Sequence, residues 1–298
     1  MRRSAHAVAW MACALAVAGG ARANTQPGSL GADASAAAYY QVTCSDDGRG
    51  APASLTVAVQ DTTPAGAPLV SVQVQKGSAA RNATDTSDGD ATFSPAAFVN
   101  GGAGVYHVFV DKTAAGAESF VLSFQCTTGA GGTGSPTGTS IFPSVPQVPL
   151  LPFAGWLALV ALLAAFAPAR ASAHTLTGTL HTDAGATDYF QIICSDDGSG
   201  PPQSLFVQVR DDPPANAAAL ISVQAHRGSL LVNSTDPVEG DTTPSPGVSV
   251  NGGSGVYDVL IDESAAGDEG YTLTFHCMTG PDGTGVHTGT DSINVQDQ

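Results

Sequence analysis

Two stretches of this chain occur twice. YQVTCSDDG at 40–48 returns as FQIICSDDG at 190–198, and NGGAGVY at 100–106 returns as NGGSGVY at 251–257. The offset is 150 residues at the first cysteine of each copy (Cys44, Cys194) and 151 at the second (Cys126, Cys277), so one residue of length has drifted between them. Two like units follow, each of roughly 110–120 residues, which is enough for one small core.

Within each copy the apolar residues alternate. Leu55, Val57 and Val59 form one series, Val70, Val72 and Val74 a second, Tyr106, Val108 and Val110 a third, and Phe120, Leu122, Phe124 and Cys126 a fourth. The second copy repeats them at Leu205/Val207/Val209, Ile221/Val223/Ala225, Tyr257/Val259/Ile261 and Tyr271/Leu273/Phe275/Cys277. Period-two alternation buries one face of a strand and wets the other, which suits antiparallel sheets. Gly, Pro, Asn and Asp cluster between the series, as turns require. The expected fold is all-β: two tandem antiparallel β-sandwich domains, jelly-roll or immunoglobulin-like, at 24–140 and 174–298. Residues 141–173 join them as a proline-rich linker followed by an apolar helix of transmembrane length. Tyr39 and Phe206 fall on the outward parity and are expected at the surface.

The N-terminus reads as a secretory signal over 1–23. Arg2 and Arg3 precede an apolar run from Ala7 to Ala18, and Ala21-Arg22-Ala23 is a small-x-small site with cleavage after Ala23. Cys13 leaves with it, so one cysteine pair per copy remains in an exported chain. Cys44 and Cys126 share the parity of the apolar series beside them, so both point inward. The expected disulfides are Cys44–Cys126 and Cys194–Cys277.

GVYDVLI at 255–261, followed by GYTLTF at 270–275, resembles the closing strands of bacterial pre-peptidase C-terminal domains, which are secreted β-sandwich modules attached to exported enzymes. The resemblance covers about a third of each copy and implies an architecture and an exported setting, with no activity of its own.

Charge excludes one class of partner. Lys plus Arg is 10 against 26 acidic residues, a net −16, with 9 acidic and 4 basic residues at 24–141 but 17 and 2 at 174–298. Such a surface repels phosphate backbones, so no nucleic acid partner is expected. It suits a cation. Asn82, Asp85, Asp88 and Asp90 in one acidic loop match Asn233, Asp236, Glu239 and Asp241 in the other; these hard oxygen donors are candidate Ca²⁺ ligands. The plainer alternative is an acidic turn whose Asn and Asp cap their own backbone. Asp46-Asp47-Gly48 and Asp196-Asp197-Gly198 read as hairpin turns. A cut after Ala173 would make His174 an N-terminal copper ligand with His181, His226, His276 or His287. Against that, copy one has Gln75, Gln125 and Pro136 where copy two has His226, His276 and His287.

Enzyme signatures are absent: there is no Gly-x-Ser-x-Gly, no His-Glu-x-x-His, no Cys-x-x-Cys and no phosphate-binding glycine loop. The leading expectation is a non-catalytic exported bacterial repeat protein, a surface or interaction module with an unidentified protein or glycan partner. One alternative is a periplasmic or extracellular metal-binding protein, with calcium in the acidic loops ahead of copper at His174. The other is a hydrolytic enzyme with no recognisable motif.

The middle segment decides topology. The 20 uncharged residues from Val148 to Ala167 just span a bilayer, which makes 148–169 a candidate tether. Arg170 would favour the cytoplasmic side, which would leave the second cysteine pair in a reducing compartment. An internal signal peptide cut at Ala171-Ser172-Ala173 removes that conflict. So does a C-terminal sorting tail like those of exported bacterial proteins. A third reading packs the run as an apolar linker.

Overall fold

The computed structural model of the chain describes residues 23–143 and 174–298, apart from 63, 65, 67 and 215–218. The signal segment before Ala23, the tether at 148–169 and the cleavage site at Ala173 lie outside the described residues. Among the described residues no helix is long and apolar enough to cross a membrane.

Copy one comprises β1 (Asn24–Leu30), β2 (Ala38–Ser45), β3 (Ser54–Asp61), β4 (Val70–Lys76) and β5 (Ala79–Asp85). It continues through β6 (Ala97–Val99), β7 (Gly104–Lys112), β8 (Glu118–Thr127) and β9 (Gly138–Pro143). Copy two repeats the series as β10 (His174–Leu180), β11 (Thr187–Ser195), β12 (Ser204–Asp212), β13 (Ile221–Arg227) and β14 (Leu230–Thr235). Its remaining strands are β15 (Val248–Val250), β16 (Gly255–Glu263), β17 (Glu269–Met278) and β18 (Gly289–Gln296). Each copy forms a four-stranded and a five-stranded antiparallel sheet, ordered β1-β8-β3-β6 and β5-β4-β7-β2-β9 in the first, β10-β17-β12-β15 and β14-β13-β16-β11-β18 in the second.

The alternating residues meet between the two sheets of their own copy. Leu55, Val57 and Val59 of β3 and Leu122 and Phe124 of β8 face Val72, Val74 and Val108 of the five-stranded sheet in one core, and copy two has its own equivalent. Cys44 on β2 and Cys126 on β8 bond across that core, as do Cys194 and Cys277, with Cα separations of 5.6 and 5.4 Å. The fold is all-β and sandwich-like.

The outer faces of the two five-stranded sheets pack on each other, giving four layers in all. Tyr39, Ala80 and Phe109 of copy one form a small cluster with Tyr189 and Leu260 of copy two. Tyr39 is therefore buried, at 4% exposure, and not at the surface as parity suggested. Its strand does have an outward face, but the other copy covers it. Phe206, on the outer sheet, stays partly exposed.

Two further expectations are corrected. The Asp46-Asp47-Gly48 turn is no hairpin, because β2 and β3 lie in different sheets. Asp46 Oδ1 instead accepts from the amides of Gly48 (2.8 Å) and Gly50 (3.1 Å), closing the crossing between sheets, and Asp196 does the same. The first domain also runs past 140: Ile141, Phe142 and Pro143 belong to β9, which pairs with β2.

Candidate metal centres

Strand β3 carries its apolar series one step too far. Leu55, Val57 and Val59 point inward, and the next residue of the same parity is Asp61, fully buried. Strand β8 does this at its start, where Glu118 precedes Phe120, Leu122 and Phe124 in phase. Copy two repeats both features, with Asp211 after Leu205, Val207 and Val209, and Glu269 before Tyr271, Leu273 and Phe275. Alternation thus pushes two carboxylates into the end of each core, and the turn after β5 or β14 brings a third.

Asp61, Asp88 and Glu118 place carboxylate oxygens within 4.8 Å of one another, and Asp211, Glu239 and Glu269 do the same. Asp211 has no exposed surface, and neither of its carboxylate oxygens has a hydrogen-bond partner. Both Glu239 oxygens are also buried without a partner, as are Glu118 Oε2 and Asp88 Oδ1. The second Asp88 oxygen accepts from the Gly66 amide. Neither Asp61 oxygen has a partner either: the Val70 amide eases its charge without reaching hydrogen-bond geometry. Buried carboxylates with no donor are costly unless protonated or bound to a cation.

The electrostatics follow from that crowding. Burial, then Glu118, Asp88 and Asp85, push Asp61 up to about 7. Burial, then Glu239, Glu269 and Asp236, push Asp211 up to about 8. Glu118 is raised by burial and Asp88, and Glu239 by burial and Asp236.

One substitution makes the centres unequal. In copy one Lys112 is 1% exposed, donates to the carbonyls of Gly31 and Gly116, and lowers the pKa of Glu118. The corresponding residue of copy two is Glu263, wholly buried and unpartnered, pushed up to about 9 by burial and then by Glu269 and Asp262. Copy two therefore sets a fourth acid beside Glu269 where copy one sets an ammonium beside Glu118.

Of the residues expected in the acidic loops, only Asp88 and Glu239 reach these centres. Asn82 and Asp85 stand three apart in a strand and so face opposite ways. Asn82 Nδ2 crosses to the carbonyl of Glu263 (2.7 Å), and Asn233 Nδ2 returns to that of Lys112 (2.8 Å). Asp85 accepts from the Asp61 amide (2.8 Å) and Asp236 from the Asp211 amide (2.9 Å), which fixes the backbone beneath each buried aspartate. Asp90 and Asp241 cap the amides of Thr92 and Thr243, both at 2.6 Å. Asp61, Glu118, Asp211 and Glu269 were missed by sequence reading, although a carboxylate in phase with a core series was the available signal.

The histidines separate too. His181 lies 3.9 Å from Asp268, and His226 is buried between the copies, so neither joins His174. His174, His276 and His287 do gather, at the far end of β17. A groove of about 300 Å³ opens between the copies, but its one basic side chain, Arg81, is engaged by Asp183 at 3.2 Å and no histidine or cysteine lines it.

Comparison with protein-family models, with curated proteins and with solved structures finds no match to this chain.

Proposed function

We propose that this chain is a non-catalytic, exported pair of β-sandwich modules, each holding one calcium ion among its buried carboxylates and acting as an interaction unit. The observation that carries the reading is Asp211, a fully buried carboxylate with two unpaired oxygens facing two more carboxylates. The same arrangement stands in copy one, with aspartate and glutamate exchanged at 88/239. An acidic turn on the surface has no reason to place its oxygens inside. All donors are hard oxygens, which excludes soft-metal preference and favours Ca²⁺, whose flexible shell takes six to eight oxygens; Mg²⁺ demands a stricter octahedron and keeps its waters. Asp61, Asp88 and Glu118 would hold the ion in one module, and Asp211, Glu239 and Glu269 in the other. Bound there, the cation would supply the positive charge these cores lack and tie the turn after β5 or β14 to the ends of β3 and β8, or of β12 and β17.

Two buried disulfides suit an oxidising compartment and support export. The finer assignment to a jelly-roll or immunoglobulin-like class, and the likeness to pre-peptidase C-terminal modules, belong to the same reading. Calorimetric titration of chelator-stripped protein with Ca²⁺ tests it. Two saturable sites are expected, the copy-two site tighter because Glu263 replaces Lys112. Asp211→Asn should remove that site and Asp61→Asn the weaker one. Absence of saturable binding at millimolar Ca²⁺ would refute the proposal.

A further inference from the structure

On the outer face of each five-stranded sheet, one row of directly paired residues crosses four strands. In copy one the row is Tyr39 on β2, Phe109 on β7, Gln73 on β4 and Asn82 on β5. In copy two it is Tyr189 on β11, Leu260 on β16, Gln224 on β13 and Asn233 on β14. All eight side chains are buried, none more than 4% exposed. Apolar residues fill one end of each row and amides the other, so a module alone would leave rings and aliphatic groups of a flat sheet in water. An apolar centre with paired polar groups beside it is the anatomy of a protein–protein interface.

The contacts across these rows are returned in kind. Gln73 donates to Asp262 and Gln224 to Asp111, while Asn82 donates to the Glu263 carbonyl and Asn233 to the Lys112 carbonyl. Each contact from copy one to copy two therefore has its mirror between the equivalent residues, which is the isologous pattern of a two-fold dimer. Tandem domains joined end to end have no need of such reciprocity, since any two patches could serve.

We infer that the outer face of the five-stranded sheet is a pairing surface whose partner is a second module of the same kind, and that copies one and two hold together as an unlike pair without the segment that joins them. Two features choose the unlike pair. Arg81 of copy one meets Asp183 of copy two at 3.2 Å, and the equivalent of Arg81 in copy two is Val232, which offers that aspartate nothing. Copy two also carries 17 acidic residues against 2 basic, and copy one 9 against 4, so two copies two would repel each other more strongly than the unlike pair does. None of the six carboxylates of the metal centres takes part in these contacts, so the pairing stands apart from calcium.

The test is a protease site introduced between residues 144 and 173 of the full chain, cut to completion and followed by size-exclusion chromatography with light scattering near neutral pH. Both disulfides lie within a copy, so no covalent bond then joins the halves. The halves are expected to elute together, one of each, at the mass of the uncut protein down to about 1 μM. Gln73→Leu combined with Gln224→Leu removes both amide donors from the two aspartates and lies outside both cores. That double change should weaken the pair about a hundredfold, while each half keeps its native circular dichroism. Separate elution of the unaltered halves at about 10 μM, assembly of like with like, or pairing untouched by the double substitution would overturn the proposal.

Discussion

A single aspartate shows how much one position can decide. Asp211 extends the series Leu205, Val207, Val209 by one step, and the parity that buries a valine buries a charge there instead. Its folded pKa, about 8, lies above the unfolded value near 3.8. Its contribution to stability is therefore full below pH 4 and is lost as pH rises through 8. Calcium should abolish that loss by stabilising the ionised form. In chelator at pH 8, Asp211→Asn should raise stability by about 1–3 kcal/mol, because it removes an unsatisfied buried charge. With calcium present the same change should be destabilising. Opposite signs in the two buffers, read by thermal melting, separate a metal ligand from a merely awkward acid. Asp88 and Glu239 were legible in the sequence as acids in a loop. Asp61 and Asp211 were not, because alternation was read for apolar residues only.

At the scale of elements, the strands with clean alternation were legible and the quiet ones were not. Strands β3, β4, β7 and β8 carry Val, Leu and Phe at period two. Strand β1, sequence NTQPGSL, is an edge strand with only Leu30 buried, so it has almost no pattern to read. Its Gly28 matters nonetheless: a Cβ there would lie 2.2 Å from the Phe120 ring, which sits over the bare backbone. Strand β5 hid because Ala79-Ala80-Arg81-Asn82 divides its polar and small residues between the core and the interface of the copies. The disulfides were legible by parity. Each closes a loop of 82 or 83 residues, worth on the order of 4 kcal/mol. Reduction should lower the melting temperature sharply, and equal melting in excess thiol would contradict the structural role. Asp46→Ala should cost about 1 kcal/mol by freeing the amides of Gly48 and Gly50.

At the scale of the molecule, the two copies meet through reciprocal contacts that neither copy's sequence shows alone. Gln73 Nε2 donates to Asp262 Oδ2 (2.7 Å) and Asp111 Oδ1 (3.2 Å), while Gln224 Nε2 donates to Asp111 Oδ2 (2.8 Å) and Asp262 Oδ1 (3.3 Å). Burial pushes Asp111 up to about 6, and burial with Asp111 beside it raises Asp262 further. Two carboxylates buried side by side both resist ionisation. The contribution of the pair is full below the unfolded value near 3.8 and falls as pH rises through 6 and beyond. His226, buried nearby in the same interface and held down to about 4, acts the other way: its contribution is full above 6.5 and falls as pH drops towards 4. The two opposed trends offset each other in acid, which leaves the aspartates to govern neutral and alkaline pH. Amide exchange in β4 and β13 should quicken as pH rises from 7 to 9 beyond the intrinsic base-catalysed increase, and Asp262→Asn should flatten that excess. An unchanged profile in the variant would assign the trend elsewhere. Sequence reading placed Tyr39 at the surface for the same reason it missed this interface: parity gives the face of a strand, not what covers it.

The central claim is that the buried carboxylates of both copies are held ionised by calcium. The most direct measurement is thermal melting of the intact chain at pH 8, in chelator and in calcium at about a hundred times its dissociation constant. Calcium should stabilise each copy by about 2.7 kcal/mol under those conditions, a shift of several degrees that Asp61→Asn and Asp211→Asn each reduce. Superimposable melting curves in calcium and in chelator would contradict the account.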